Sequence, residues 1–293
     1  MPKSVTVLPM PGGETITAQP LRCLPMTIAY GPSATQTWLR CPRAFAYDRA
    51  GWYPRTVLKS DASALIGQAM HAGLAAIHSG KDAVAAREAW QSTLQQGEAK
   101  WRTAGRIPLA DASVIPTLYR GAGDRALDAY AADPFVCTPL QIETPLGRAR
   151  PDMITDEPAV VDWKIRLDAW RDPRWQAGYF AAFHRSWQVK DYLWRASEAL
   201  GRPVRRFYAV ILVLTPKYQR FVEQVDVPDD TLARWHPEAE RVWSLMDGPT
   251  WPNETRCDNW GYNAPCVWYD ACWLYEQDPV KMGLTYGRTP DAR

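Results

Sequence analysis

The stretch Gly147-Arg148-Ala149-Arg150-Pro151-Asp152-Met153-Ile154, a short polar gap, and then Val160-Val161-Asp162-Trp163-Lys164 decides the fold. It reads as two strands and a turn, with charged side chains where a buried hairpin should have none. Side chains alternate across a strand, so Asp162 and Lys164 emerge on one face while Val161, Trp163 and Ile165 emerge on the other. With a loop from Thr155 to Ala159, Asp152 lies directly opposite Asp162. Two carboxylates and an ammonium then share one small patch. Carboxylates that close repel unless a proton or cation separates them. A divalent metal resolves the conflict, and the lysine can then serve a metal-bound water. The same residues also fit a surface hairpin with a solvated salt bridge. The flanking apolar runs argue against that, but the stretch alone leaves both readings of its three charges open.

Downstream, Asp172-Pro173 marks a helix start, and the pattern predicts one long helix from Arg174 to Ala199. Gln176, Phe180, Phe183 and Trp187 fall along one of its faces. Gln176 either hydrogen-bonds a phosphate or the site, or is solvated. Arg206 to Leu214 is an apolar, strand-sized run. Thr215-Pro216-Lys217 is a turn, Tyr218 to Val227 returns as a strand, and Asp229 to Met246 reads as a helix. Upstream, Gln141-Ile142-Glu143 opens the strand region. Glu143 is a metal ligand, an acid supporting one, or an edge-strand charge. Asp61 to Ile77 carries an apolar helical stripe of Leu65, Ala69, Ala72, Ala76 and Ile77, with His71 inside it and Gly67 four residues before. A lone histidine on such a helix is more often structural than a ligand, although the small residues leave room for close approach. Lys81 to Arg102 and Ala112 to Ala132 read as further helices. This alternation predicts an α/β sandwich with a mixed sheet.

The ends differ in character. Residues 1–29 read as an irregular lead-in, 30–250 as the core, and 251–293 as a loop-rich lobe. Ser33 suits an N-cap for a helix over Ala34 to Arg40. Cys41-Pro42-Arg43 follows at a helix junction, where exposed backbone N–H groups favour a thiolate; alone, Cys41 reads as a small buried hydrophobe. Cys257, Cys266 and Cys272 lie in the lobe. Three cysteines in a reducing compartment read as soft-metal ligands, one short of a tetrahedral set. Cys41 is the natural fourth, with Cys23 and Cys137 as alternatives. Spacing does not separate zinc from an iron–sulfur cluster, and three unligated cysteines remain the plain alternative.

At 293 residues the chain can bury a large core, and its net charge of +2 makes no case for nucleic acid unless a basic groove is local. Fifteen tryptophans are unusual, and they read as core fillers first and as base-stacking platforms second. No basic segment followed by an apolar run opens the sequence, and no apolar run approaches a membrane span. The expectation is a cytoplasmic protein with no membrane partner, in which cysteines bind metal or are buried before they form disulfides.

Taken together, Cys41-Pro-Arg-x-Phe, Gly67-x-x-x-His71, Pro151-Asp152, Asp162-x-Lys164, Gln176 and the three C-terminal cysteines occur in an order that resembles the PD-(D/E)XK nuclease superfamily. More narrowly the chain is similar to the RecB-like group with an iron–sulfur cluster, which includes helicase-associated, CRISPR adaptation and phage nucleases. The resemblance implies a restriction-endonuclease-like core, with a central mixed sheet flanked by helices, and a cysteine lobe joining the two ends of the chain. It implies that Asp152, Asp162 and His71 bind Mg²⁺ or Mn²⁺, with Glu143 as a further ligand, and that Lys164 positions or activates water. Gln176 takes the place of the glutamine in a Gln-x-x-x-Tyr motif, although Phe180 stands at the tyrosine position with Tyr179 beside it. Cys41, Cys257, Cys266 and Cys272 match ligands of a [4Fe-4S] cluster. The eight residues between Cys257 and Cys266 exceed the usual spacing, which keeps structural Zn²⁺ open.

The implied activity is a metal-dependent DNA exonuclease acting at DNA ends, with 5′-to-3′ action on single strands preferred. The implied setting is recombination or repair in a cytoplasm (the host's, if phage-encoded), with recombination or helicase proteins as partners. A structure- or sequence-specific endonuclease is the first alternative, and a catalytically idle DNA-binding or assembly subunit the second. Arg148, Arg150, Arg166, Arg171 and Arg174 lie near the site in sequence, and some should meet the DNA backbone.

Overall fold

The structure is a computed structural model that describes residues 30–248, apart from 109, 136–138, 143, 144, 148 and 171, together with 266, 268, 271, 272, 281, 282 and 285–288. Within these residues the chain opens with α1 (Pro32–Arg40) and α2 (Pro42–Arg49), each with a proline in its first turn. A proline there costs no hydrogen bond, because the first N–H groups of a helix have no partner inside it. The short strands β1 (Trp52–Pro54) and β2 (Thr56–Val57) lead into α3 (Lys59–His78) and α4 (Ala83–Thr103). After β3 (Ile107–Pro108) comes α5 (Ala110–Ala132). The main sheet uses β4 (Pro139–Ile142), β5 (Met153–Thr155), β6 (Ala159–Asp168), β7 (Arg206–Thr215) and β8 (Gln219–Asp226). Helices α6 (Pro173–His184) and α7 (Trp187–Leu200) connect β6 to β7, α8 (Asp229–Met246) follows the sheet, and β9 is Tyr286–Arg288.

The five strands stand in the order β4-β5-β6-β7-β8, with β6 and β7 parallel and the other neighbours antiparallel. This is the expected mixed sheet. Strand periodicity sorts its residues into two cores. Met153, Val161, Trp163, Val210, Leu212 and Leu214 pack against α3, α4 and α5. Ile154, Val160, Phe207, Ala209 and Ile211 pack against α7 on the other face. The β6–β7 crossover needs a helical connection, because parallel neighbours cannot be joined by a tight turn.

Close packing of α3 on α5 depends on Gly73, where a Cβ would lie 2.8 Å from the Leu127 methyls. Gly67 has no such constraint, since a Cβ there would meet nothing within 4 Å. Core filling accounts for Trp38, Trp90, Trp163, Trp235, Trp243 and Trp268, all buried.

Two local expectations are corrected. The helix expected from Arg174 to Ala199 is broken into α6 and α7. Ser186 leaves the helical region, with φ −65° and ψ 133°, and serves as the N-cap residue of α7. The strand expected from Gly147 begins only at Met153. Before it, Leu146 and Ala149 form an isolated bridge around Gly147, whose φ of +64° favours glycine.

A candidate active site at the end of a short strand

The pairings Met153 with Val161 and Ile154 with Val160 extend to place Asp152 opposite Asp162. Because β5 starts at Met153, Asp152 does not continue the ladder with its backbone. Its side chain does so instead, and the Trp163 N–H donates to Asp152 Oδ2 at 2.6 Å. The other oxygen, Oδ1, hydrogen-bonds to His71 Nδ1 at 2.9 Å. His71 belongs to α3, in the opposite helical layer, and its ring meets the edge of Trp163. The shortness of β5 lets α3 reach this end of β6.

Lys164 stands one pleat beyond Asp162, and its Nζ lies 2.6 Å from Asp162 Oδ2. Both face α7, where Gln188 bridges them. The ammonium donates to Gln188 Oε1 at 3.2 Å, and Gln188 Nε2 donates to Asp162 Oδ1 at 3.3 Å. Gln188 Nε2 also reaches Tyr192 Oη at 3.1 Å, and the Tyr192 hydroxyl donates to the Arg150 carbonyl at 3.1 Å. A chain of contacts thus runs from the loop before Asp152, through α7, to the Asp162–Lys164 pair.

Electrostatics follow burial. Desolvation pushes the Asp162 carboxyl above the usual range, with Lys164 opposing the shift and Asp152 adding to it. Burial works against the charged form of Lys164, but Asp162 and Asp152 outweigh it and hold the ammonium above its ordinary value. His71 is likewise raised, because Asp152 overcomes the cost of burial. Tyr192 is pushed up by burial, and so stays a neutral donor.

Asp152 and Asp162 take their countercharge from His71 and Lys164. Among the described residues no group of three or more His, Cys, Asp and Glu side chains is gathered as a ready ligand set. The donor chemistry nevertheless fits a divalent cation: two carboxylates, both buried, and one imidazole beside them. Oxygen donors suit Mg²⁺ or Mn²⁺, and an imidazole tilts the choice toward Mn²⁺.

The family model of the PD-(D/E)XK nuclease superfamily matches residues 30–272. The chain belongs to the PD-(D/E)XK nuclease superfamily. No curated protein matches the sequence. Members of the superfamily are nucleases and typically use Mg²⁺ or Mn²⁺.

Within this superfamily frame, the structure brings together Asp152, Asp162, Lys164 and His71. Among the described residues no hydrogen bond joins Gln176 to them. Gln176 lies in the first turn of α6, partly buried, and its backbone N–H bonds Asp172. The Gln-x-x-x-Tyr spacing is met instead by Gln188 and Tyr192 on α7, which sequence reasoning missed. The available signal was Ser186, a capping residue type two positions before Gln188. Reading through it as one helix merged two helices and passed over Gln188, twelve positions after Gln176.

The expected DNA-contacting arginines divide. Arg174 is folded back on Asp172, its own N-cap, with Nη2 to Oδ2 at 2.8 Å. Arg150 is exposed and Arg166 partly buried. Glu143, Arg148, Arg171, Cys23, Cys137 and Cys257 lie outside the described residues. Cys41, Cys266 and Cys272 share one small cluster with Ala44, Tyr47, Trp268, Ala271, Met282 and Tyr286. The Trp268 N–H approaches Cys266 Sγ at 3.4 Å, and Tyr47 Oη lies 3.6 Å from Cys272 Sγ. No helix among the described residues is long and apolar enough to cross a membrane.

Proposed function

We propose that the protein is a divalent-metal-dependent DNA exonuclease. The observation that carries this reading is the meeting of Asp152, Asp162 and Lys164 at one end of β6, with His71 bonded to Asp152 from α3. Asp152, Asp162 and His71 would hold Mg²⁺ or Mn²⁺. The chemistry such an ion supplies is neutralisation of phosphodiester charge and a lowered pKa for water. Lys164 is kept protonated by Asp162, so it stabilises charge building on the phosphate rather than removing a proton. Gln188 fixes the ammonium, and Trp163 N–H together with His71 fixes both oxygens of Asp152. Single strands and 5′-to-3′ action, in recombination or repair within a cytoplasm, follow from the resemblance.

The test compares linear DNA, labelled at either end, with covalently closed circles in Mg²⁺ and in Mn²⁺. End-dependent loss of label with circles untouched is expected. Cleaved circles would replace this reading with an endonuclease of the same fold. Binding without digestion would make the chain an idle subunit. Asp162→Ala and Lys164→Ala should each lower the rate by at least about 10²-fold without unfolding the protein.

We further propose that Cys41, Cys257, Cys266 and Cys272 hold a [4Fe-4S] cluster, with Zn²⁺ as the alternative. Support comes from Cys41 packing in one hydrophobic cluster with Cys266 and Cys272, from which it is distant in sequence, and from a backbone N–H aimed at Cys266 Sγ. Visible absorbance of anaerobically purified protein, together with iron and zinc analysis, separates the two, since only the cluster absorbs visible light.

A further inference from the structure

Beyond Lys164, the strand face that carries the candidate site continues into Arg166, because alternate residues of a strand share a face. The Arg166 guanidinium lies 4.3 Å over the Trp170 ring and 5.6 Å over that of Tyr179. Among the described residues Arg166 forms no ion pair, and its Nε is buried without a hydrogen-bond partner. Aromatic rings cover the faces of a guanidinium and leave its N–H edge free to donate. That edge matches the oxygens of a phosphate. Arg174, by contrast, is spent on Asp172.

Tyr179 sits on α6 one turn after Trp175, and residues four apart share a helix face. Trp175 is 75% exposed, in contrast to the six buried tryptophans of the cores. The row is close to the site, since Arg166 stands one pleat beyond Lys164 on β6 and its guanidinium lies over Tyr179.

Resting on the nuclease reading above, we propose that Arg166, Tyr179 and Trp175 form a single-strand track leading from the Asp162–Lys164 pair. Arg166 takes a backbone phosphate and Trp175 stacks a nucleobase. Bases inside a duplex are stacked on each other and offer no face to Trp175, whereas an unpaired base does. The track therefore selects unpaired DNA.

The test uses the full chain with Ca²⁺ in place of Mg²⁺ or Mn²⁺, so that binding is read without cutting and without a chelator. Labelled oligothymidylate is compared with a blunt linear duplex by fluorescence anisotropy. Trp175→Ala should weaken oligothymidylate binding on the order of ten-fold, and Trp175→Phe should restore most of it. Arg166→Gln should weaken binding and lower the slope of log K against log salt by about 0.7, the share of one phosphate on a single strand. Duplex binding should change by less than two-fold in both. Oligothymidylate affinity unchanged in Trp175→Ala and Arg166→Gln would overturn the track, as would equal losses on duplex and single strand. Failure of the nuclease reading shows separately, as wild-type protein that binds DNA yet digests none with Mg²⁺ or Mn²⁺.

Discussion

At the scale of single residues, the site is a matter of which groups touch Asp162 and Lys164. Gln188 touches both and also Tyr192, so its amide fixes the ammonium, the carboxylate and the helix together. Partners of this kind cost about 10–100-fold in activity when removed from metal sites. Gln188→Ala should therefore lower the rate of DNA hydrolysis by that factor. It should also cost roughly 1 kcal/mol of stability, because the half-buried lysine loses one of its acceptors. Gln176→Ala should change stability by no more than about 0.5 kcal/mol, as for other positions away from such features. Equal rate losses in the two variants, measured on the same substrate, would refute the assignment to Gln188. The contrast also shows where the sequence is legible. Asp152, Asp162 and Lys164 lie on two strands with a short turn, so period-two alternation and loop length suffice to bring them together. Gln188 comes from a helix that packs on the sheet after a break at Ser186, and no local pattern says how that helix is placed.

Elements explain why the site holds its shape. Trp163 is the pivot of β6: its N–H secures Asp152, and its ring is stacked on His78 from α3 at 5.3 Å. His78 also hydrogen-bonds the Tyr130 hydroxyl of α5 at 2.8 Å, so three elements meet at one imidazole. Burial lowers its pKa to about 4. The native state thus resists a proton that the unfolded chain accepts near pH 6.5. Stability contributed by neutral His78 is complete above that value and is lost as pH falls through it toward about 4. His78→Phe keeps an aromatic ring beside Trp163 but cannot titrate. Urea unfolding of both proteins from pH 7 to pH 4 should show the wild type losing stability relative to the variant in that window. A constant difference across it would show that His78 titrates normally. The order of strands and helices is legible for the same reason as the hairpin, since each apolar run has the length and period of its element. The asymmetric end of the sheet is less so, because it depends on β5 being only Met153–Thr155. Pro151 and the turn at Gly147 shorten that strand, and their effect depends on what packs around them.

At the scale of the whole molecule, two devices join distant parts of the chain. The first is Arg195, fully buried on α7. It pairs with Asp191 at 2.9 Å and donates to the carbonyls of Tyr30 at 2.7 Å and Leu146 at 3.3 Å. It thereby ties the start of the core and the turn before Asp152 to one helix. Arg195→Ala should cost about 3–5 kcal/mol, because Asp191 is left buried and unpaired. Replacing both residues with apolar ones should cost less than the single change when unfolding is followed by denaturant. The second device joins α2 to the C-terminal segment, where β1 pairs with β9 and Cys41 packs with Cys266 and Cys272. Cysteine count and position make the nearness of Cys41 to Cys266 and Cys272 legible in the sequence, but buried apolar packing and metal ligation predict the same proximity. They differ in how substitutions combine. Ligands to one metal act as a unit, because losing any one releases the metal and the folding energy it supplies. Cys41→Ser and Cys266→Ser should then lower the melting temperature by similar amounts, and the double variant should be little worse than either. Chelator-treated wild type should melt at that same lowered temperature. If the cysteines serve only as small core residues, chelation changes nothing and the two losses reflect packing alone. Because they share one cluster, any coupling between them would then stay within the 0.5–3 kcal/mol typical of touching side chains and would not cancel the second loss.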